Sequence, residues 1–113
     1  MAISSDSIRG HLDAIILRLI LEKDRYGYEI AKEIARRSDG GFEIKEATLY
    51  AAIQRLERNR CIVAYSGQVT HGRARKYYTP TAAGRIYFQE KLEEWNETRA
   101  MIDKLMEEER DED

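Results

Sequence analysis

Cysteine occurs once in the 113 residues, at Cys61, so no intramolecular disulfide is available to staple the fold. The two histidines, His11 and His71, lie far apart in sequence, and with Cys61 they form no metal-ligand spacing. No run of about eighteen apolar residues exists to span a membrane. Met1 to Arg9 lacks an apolar signal core behind a basic start, so a cytoplasmic protein is expected. No glycine loop of the phosphate-cradling kind is present, no Cys/His or Ser/His/Asp arrangement can be placed, and paired carboxylates gather mostly in the acidic final stretch. These absences argue against an enzyme, and no catalytic residue, metal or cofactor is expected. The last absence is local: from Arg58 to Glu90 there is no Asp or Glu between them.

What is present is ordinary for one soluble domain with one appended element: 42% hydrophobic and 35% charged residues. The net charge of -2 hides an asymmetry. Residues 1–80 hold 14 basic and 10 acidic side chains, whereas residues 81–113 hold 5 and 11. Within residues 45–79, seven basic side chains face only Glu46 and Glu57. A polyanionic partner would favour that segment.

Its first part, Lys45 to Asn59, reads as a helix with two faces. Leu49, Ala52, Ile53 and Leu56 fall at i, i+3, i+4 and i+7 and form a core stripe. The other side carries Ala47, Ala51, Gln54, Arg55 and Arg58, flanked by Thr48 and Tyr50. The alanines leave the backbone uncovered for close approach, and the cations sit toward the far end, which suits a helix laid into a DNA major groove. A solvated amphipathic helix has the same pattern, so the surrounding elements must decide.

Ser5, Asp6 and Ser7 are plausible N-caps for a first helix whose apolar residues Ile8, Leu12, Ile15, Ile16, Leu19 and Ile20 run to about Lys23. Asp24 and Arg25 make a turn. A second helix runs from about Tyr28 and stops before Asp39, Gly40 and Gly41. Phe42 to Ile44 alternates and predicts one short strand. After the central helix, Ile62 to Ser66 and Arg75 to Thr79 read as the strands of a hairpin around the polar stretch Gly67 to Ala74, closed by Pro80. This order is that of a winged helix-turn-helix domain.

Thr81 is a good N-cap for a long last helix. Along it, Phe88, Leu92, Trp95, Arg99, Ile102 and Met106 step by 4, 3, 4, 3 and 4, a heptad spacing with one charged interruption. So small a body cannot cover such a stripe, and a homodimer is inferred. The expected fold is therefore α+β, mainly α: a winged helix-turn-helix DNA-binding domain over residues 1–80 and a C-terminal dimerisation helix with an acidic tail over 81–113.

With the elements placed, the chain resembles the PadR family of bacterial transcriptional regulators in its short form. The likeness rests on Tyr26-Gly27-Tyr28-Glu29-Ile30, Ala47-Thr48-Leu49-Tyr50, Arg55-Leu56-Glu57, Arg75-Lys76-Tyr77-Tyr78 and Thr81-Ala82-Ala83-Gly84, in this order and spacing. It implies a dimeric repressor whose third helix enters the major groove while the wing touches the minor groove or backbone. Thr48 and Tyr50 are then DNA contacts, and Arg73, Arg75 and Lys76 belong to the wing. Together with Lys45, Ala51, Gln54 and Arg55 these complete the expected DNA-binding set. Departures are Ala47 and Ala51, where many members have Gly and Pro; Arg60-Cys61-Ile62 in place of Gly-Leu-Ile, which moves the expected left-handed cap to Asn59; and Pro80 in place of an aliphatic residue.

The expected dimer interface comprises Ile8, Leu12, Phe88 and Leu92 with Trp95, Ile102, Leu105 and Met106. Trp95 has two readings: a heptad residue packed across the dimer, or the border of a cavity that stacks on a planar aromatic effector, as the resemblance implies for some short members. Arg55 and Arg58 either meet DNA or pair with Glu57, Glu29 or Glu33. Of Tyr77 and Tyr78, which alternate across the strand, one belongs in the core. Cys61 reads as a small buried hydrophobe, His11 as a surface residue, and Gly84 as a site of close packing. The expected partners are operator duplex DNA, a second copy of the chain and a planar aromatic effector, with no membrane. The alternative is a winged-helix module that binds protein and has no operator.

Overall fold

The computed structural model describes residues 8–70 and 72–109, with the side chains of residues 68–70 and 73 outside the description. The proposed caps Ser5, Asp6 and Ser7, His71 and the end of the acidic tail lie outside the described residues. A 3-10 turn, Arg9–His11, leads into α1 (Leu12–Glu22); β1 (Arg25–Tyr26), α2 (Gly27–Arg37) and α3 (Glu46–Arg58) follow. The wing is β2 (Ile62–Thr70) and β3 (Arg73–Pro80), and α4 spans Ala82–Met106.

The broad apolar face of α1 explains the architecture. Leu12, Ile16, Leu17, Leu19 and Ile20 are all buried, which places α1 at the centre with α2, α3, α4 and the sheet around it. From α2 come Ile30 and Ile34, and from α3 the predicted stripe Leu49, Ala52, Ile53 and Leu56. Ile62, Tyr78 and Phe88 close the core from the wing and α4.

The sheet has the order β1-β3-β2, all antiparallel. Its third strand is not at Phe42–Ile44. Phe42 instead enters the core, and the Ser38 hydroxyl group holds that turn by accepting from the Phe42 N–H at 3.1 Å. The edge of β3 is taken by Arg25–Tyr26, of which Arg25 is expected in a turn, in register with Tyr78 and Tyr77. Buried Arg25 secures this crossing: its Nε donates to the Leu19 carbonyl at 2.8 Å and its guanidinium meets Glu22 at 3.2 Å.

The wing is longer than its sequence suggests. Pairing continues past Ser66 to Thr70 opposite Arg73, with a register shift between Ser66 and Val69 that lets the polar stretch remain in the ladder. Pro80 does not stand outside the sheet but pairs with Ile62 at its very end, where a missing N–H is tolerated. Tyr78 is the core member of the tyrosine pair, and Tyr77 lies on the opposite face.

The exit from α3 corrects another expectation. Asn59 keeps φ -85°, and Arg60 takes the left-handed conformation at φ 60°. The Cys61 N–H reaches the Leu56 carbonyl at 2.8 Å and the Arg60 N–H the Glu57 carbonyl at 3.0 Å, a helix-ending pattern that puts the left-handed residue at Arg60. Thr81 then caps α4, accepting from the Gly84 N–H at 3.0 Å. Only Gly84 and Phe88 of this helix are buried. Tyr87 packs against the core and the outer turns project, giving a radius of gyration of 17.1 Å, against about 13 Å for a compact chain of similar length.

An ion-pair network joins α1 to α2. Arg37 reaches both Glu22 at 2.5 Å and Glu33 at 3.0 Å, while Arg36 binds Glu33 at 2.8 Å. Bonds from Arg36 and then Arg37 lower the Glu33 carboxyl from its ordinary 4.5 to about 2, and Arg37 likewise depresses Glu22. A depressed carboxylate adds stability above its unfolded-state pKa, and that contribution disappears as pH falls through the folded value. Chemical denaturation at a series of pH values should therefore show stability falling from pH 4.5 toward 2, with a shallower fall in Glu33→Gln. Replacing Arg60 by glycine should relieve the left-handed strain and raise stability by about 1 kcal/mol, read as a higher Tm.

Candidate nucleic-acid interface

Helix α3 buries one stripe and presents the remainder. Ala47, Thr48, Ala51, Gln54, Arg55 and Arg58 are all exposed, as is Lys45 at its N-cap. Spacing at 100° per residue places Ala47, Ala51, Gln54 and Arg58 on the ridge farthest from the core, with Thr48 and Arg55 on one flank and Tyr50 on the other. Arg58, left open between DNA and surface pairing by the sequence, belongs to that outermost ridge.

Both flanks are fixed by neighbours. Tyr50 lies so close to Gly27 that a Cβ there would overlap the phenol ring, and so the small residue opening α2 seats the tyrosine. Tyr50 still exposes 39% of its surface. On the other flank, Arg55 pairs with Asp13 of α1, its terminal nitrogen at 2.9 Å and its Nε at 3.3 Å from the two carboxylate oxygens. Two of the expected acidic partners are engaged elsewhere: Glu33 by Arg36 and Arg37, Glu29 by the Tyr26 N–H at 3.3 Å. No periodicity reveals Asp13, which lies 42 residues from Arg55 and meets it only through tertiary packing.

A short path of contacts joins α3 to the wing. Tyr50 covers Gly27, and the preceding residue, Tyr26, packs edge-on against Tyr77 at 5.4 Å. The Arg75 guanidinium lies 4.9 Å from the Tyr26 ring centre, and its Nε is buried without a hydrogen-bond partner. Arg75 is thus partly committed to the outer sheet face, whereas Lys76 is exposed with its ammonium 5.8 Å from the Tyr78 ring. Arg73 opens β3. On the same outer face, Tyr65 stacks on Tyr77 and donates its hydroxyl to Asp24.

The expected dimer residues divide into two groups. Leu12 and Phe88 lie in the chain's own core, 3% and 7% exposed, and Ile8 is half-buried against it. Leu92, Trp95, Ile102, Leu105 and Met106 are exposed along α4. Trp95 meets the His11 ring edge-on at 4.7 Å, and Arg99 stands 5.9 Å from its centre. His11, read as a surface residue, therefore touches the one aromatic for which the sequence suggested a ligand. Cys61 is buried, and burial pushes its thiol pKa up, which opposes a reactive thiolate. Among the described residues no three His, Cys, Asp or Glu groups could hold a metal, and no helix is long and apolar enough to cross a membrane.

A three-helix core, an exposed third helix beside a basic two-stranded wing, and a long final helix define a winged helix-turn-helix protein. Residues 16–90 match the Transcriptional regulator PadR-like family, and the chain belongs to it. A transcriptional regulator from Clostridium thermocellum is 47% identical, with a TM-score of 0.86 over 94% of this chain and 100% of that one. A PadR family transcription regulator from Clostridium difficile R20291 is 33% identical, with a TM-score of 0.75 over 87% of this chain and 100% of that one. An uncharacterised protein from Lysinibacillus sphaericus is 58% identical over 93% of this chain and 96% of its own length.

Trp95 is the single tryptophan, so its fluorescence reports one position. Removing its edge contact with His11→Ala should expose more of the indole and shift its emission to the red.

Proposed function

We propose that the protein is a homodimeric transcriptional repressor that binds a pseudo-palindromic operator and is released by a planar aromatic effector. The observation that carries this reading is the path from Tyr50 through Gly27 and Tyr26 to Arg75, which holds the exposed ridge of α3 beside a cationic wing. Thr48, Ala51 and Gln54 face base edges, with Tyr50 at their flank. Lys45, Arg58, Arg73, Arg75 and Lys76 supply phosphate contacts, and Arg55, paired with Asp13, supplies a partial one. The absence of acidic side chains between Arg58 and Glu90 keeps the wing cationic.

Dimerisation is supported by the stripe Leu92, Trp95, Ile102, Leu105 and Met106, which the single chain leaves exposed. A second α4 packed along it removes that surface from water and sets two recognition helices about 34–36 Å apart, one turn of duplex. The effector reading rests on Trp95, whose exposed ring meets His11 and lies 5.9 Å from the Arg99 guanidinium on the same stripe. A flat aromatic molecule stacking there would change how the arms meet, and with them the half-site separation.

A gel shift on the chain's own promoter region, repeated at rising salt, tests operator binding. Specific retardation that weakens steeply with salt is expected, with two half-sites in the protected sequence; retention of every fragment equally, or of none, would sink the operator. Sedimentation tests the arms: the wild type should run as a dimer, and Ile102→Glu combined with Leu105→Glu should give monomers with at least tenfold weaker operator binding. Saturable quenching of Trp95 by a planar dye or phenolic, together with loss of the shifted band, is the result expected of an effector.

A further inference from the structure

We infer that Asp13 is a positioning residue for DNA binding: it holds the Arg55 guanidinium against α1 and withholds part of its charge from phosphate. This inference rests on the DNA-binding reading above. Arg55 stands two turns after Thr48 on the same flank of α3, so its natural reach is toward a duplex lying on that helix. Asp13 takes the guanidinium through two N–H···O bonds, at 2.9 and 3.3 Å.

The two partners are unequally exposed. The Asp13 side chain is 20% exposed and that of Arg55 44%, so the carboxylate is the sheltered half and the cation the half that solvent and DNA meet. A pair this open to water contributes little to folding, which leaves its electrical effect as the larger one. A carboxylate and a phosphate compete for the same guanidinium geometry. While Asp13 occupies it, the pair is neutral and displaces fewer counterions from the duplex than a free arginine would. Glu46 and Glu57 are the only acidic residues in the whole segment 45–79, and Asp13 is brought to it from another helix. The effect is a lower affinity for duplex of any sequence, which leaves base contacts a larger share of the binding energy.

The test uses the full chain, a duplex without the operator, and fluorescence anisotropy between about 50 and 200 mM salt. Asp13→Asn, which preserves size, should steepen the dependence of log affinity on log salt by about 0.9 per protomer, roughly a further threefold loss for each protomer across that range. Arg55→Gln alone should change the wild-type slope by less than half of this, but should abolish the entire gain in Asp13→Asn. A merely structural role for Asp13 would alter melting and leave the slope in place.

An unchanged slope in a folded Asp13→Asn would overturn the inference. So would an Arg55→Gln variant that flattens the wild-type slope by the full 0.9 per protomer, and this second result does not depend on Asp13→Asn folding. A wild type without salt-dependent duplex binding would remove the proposed function and this inference with it. A wild type that binds, with no effect of Asp13→Asn, would remove only the inference.

Discussion

Burial of α1 is the constraint on which the other elements depend. Ile16, Leu17 and Ile20 are 0–1% exposed, and residues from α2, α3, α4 and the wing provide their cover. Each such side chain contributes about 1.5–3 kcal/mol when fully removed from water. No single neighbour can enclose a face that wide, so the chain must wrap. The same burial fixes α3 on its inner stripe and leaves its outer ridge exposed, because a helix clamped along Leu49, Ala52, Ile53 and Leu56 has no freedom to roll.

Around that core, polar contacts set directions rather than supply bulk stability. Arg25 ties the turn after α1 to the sheet, the Glu22–Arg37–Glu33 network aligns α1 with α2, and Asp13–Arg55 connects α1 to the flank of α3. The aromatic group of Tyr26, Tyr77 and Tyr65 braces the outer face of the wing. Candidate DNA contacts and their supports are therefore one continuous structure. Tyr50 and Arg75 illustrate this, since each faces partly outward while resting on a neighbour from α2 or β1.

The helical framework was legible because its signals are periodic. The core stripe of α3, the broad face of α1, the Thr81 cap and the hairpin all follow from spacing within a single segment. What escaped depends on distance in sequence. Arg25–Tyr26 is too short to show a strand pattern, and becomes one because β3 offers an unpaired edge. Phe42–Ile44 has the alternation of a strand, yet the core needed Phe42 more than the sheet needed an edge. Asn59 was favoured for the left-handed cap on intrinsic preference, but the hydrogen bonds ending α3 require that conformation one residue later, at Arg60. The pairing of Arg55 with Asp13 and the contact of His11 with Trp95 each join groups that only the folded chain brings together.

Gly84 lies where any side chain would overlap the Cys61 carbonyl, so the first turn of α4 meets the exit of α3 backbone against backbone. Were α4 to tilt, that contact would be its innermost pivot. From Gly84 to Met106 the helix runs about 33 Å at 1.5 Å per residue, and a tilt of roughly 5° at the pivot carries its tip by about 3 Å. Motion runs the other way as well: a displacement of the tip by the width of one methyl group arrives at the base as a rotation of only a few degrees. A repacking far out on the arm would then reach the turn that ends α3 as a small rotation.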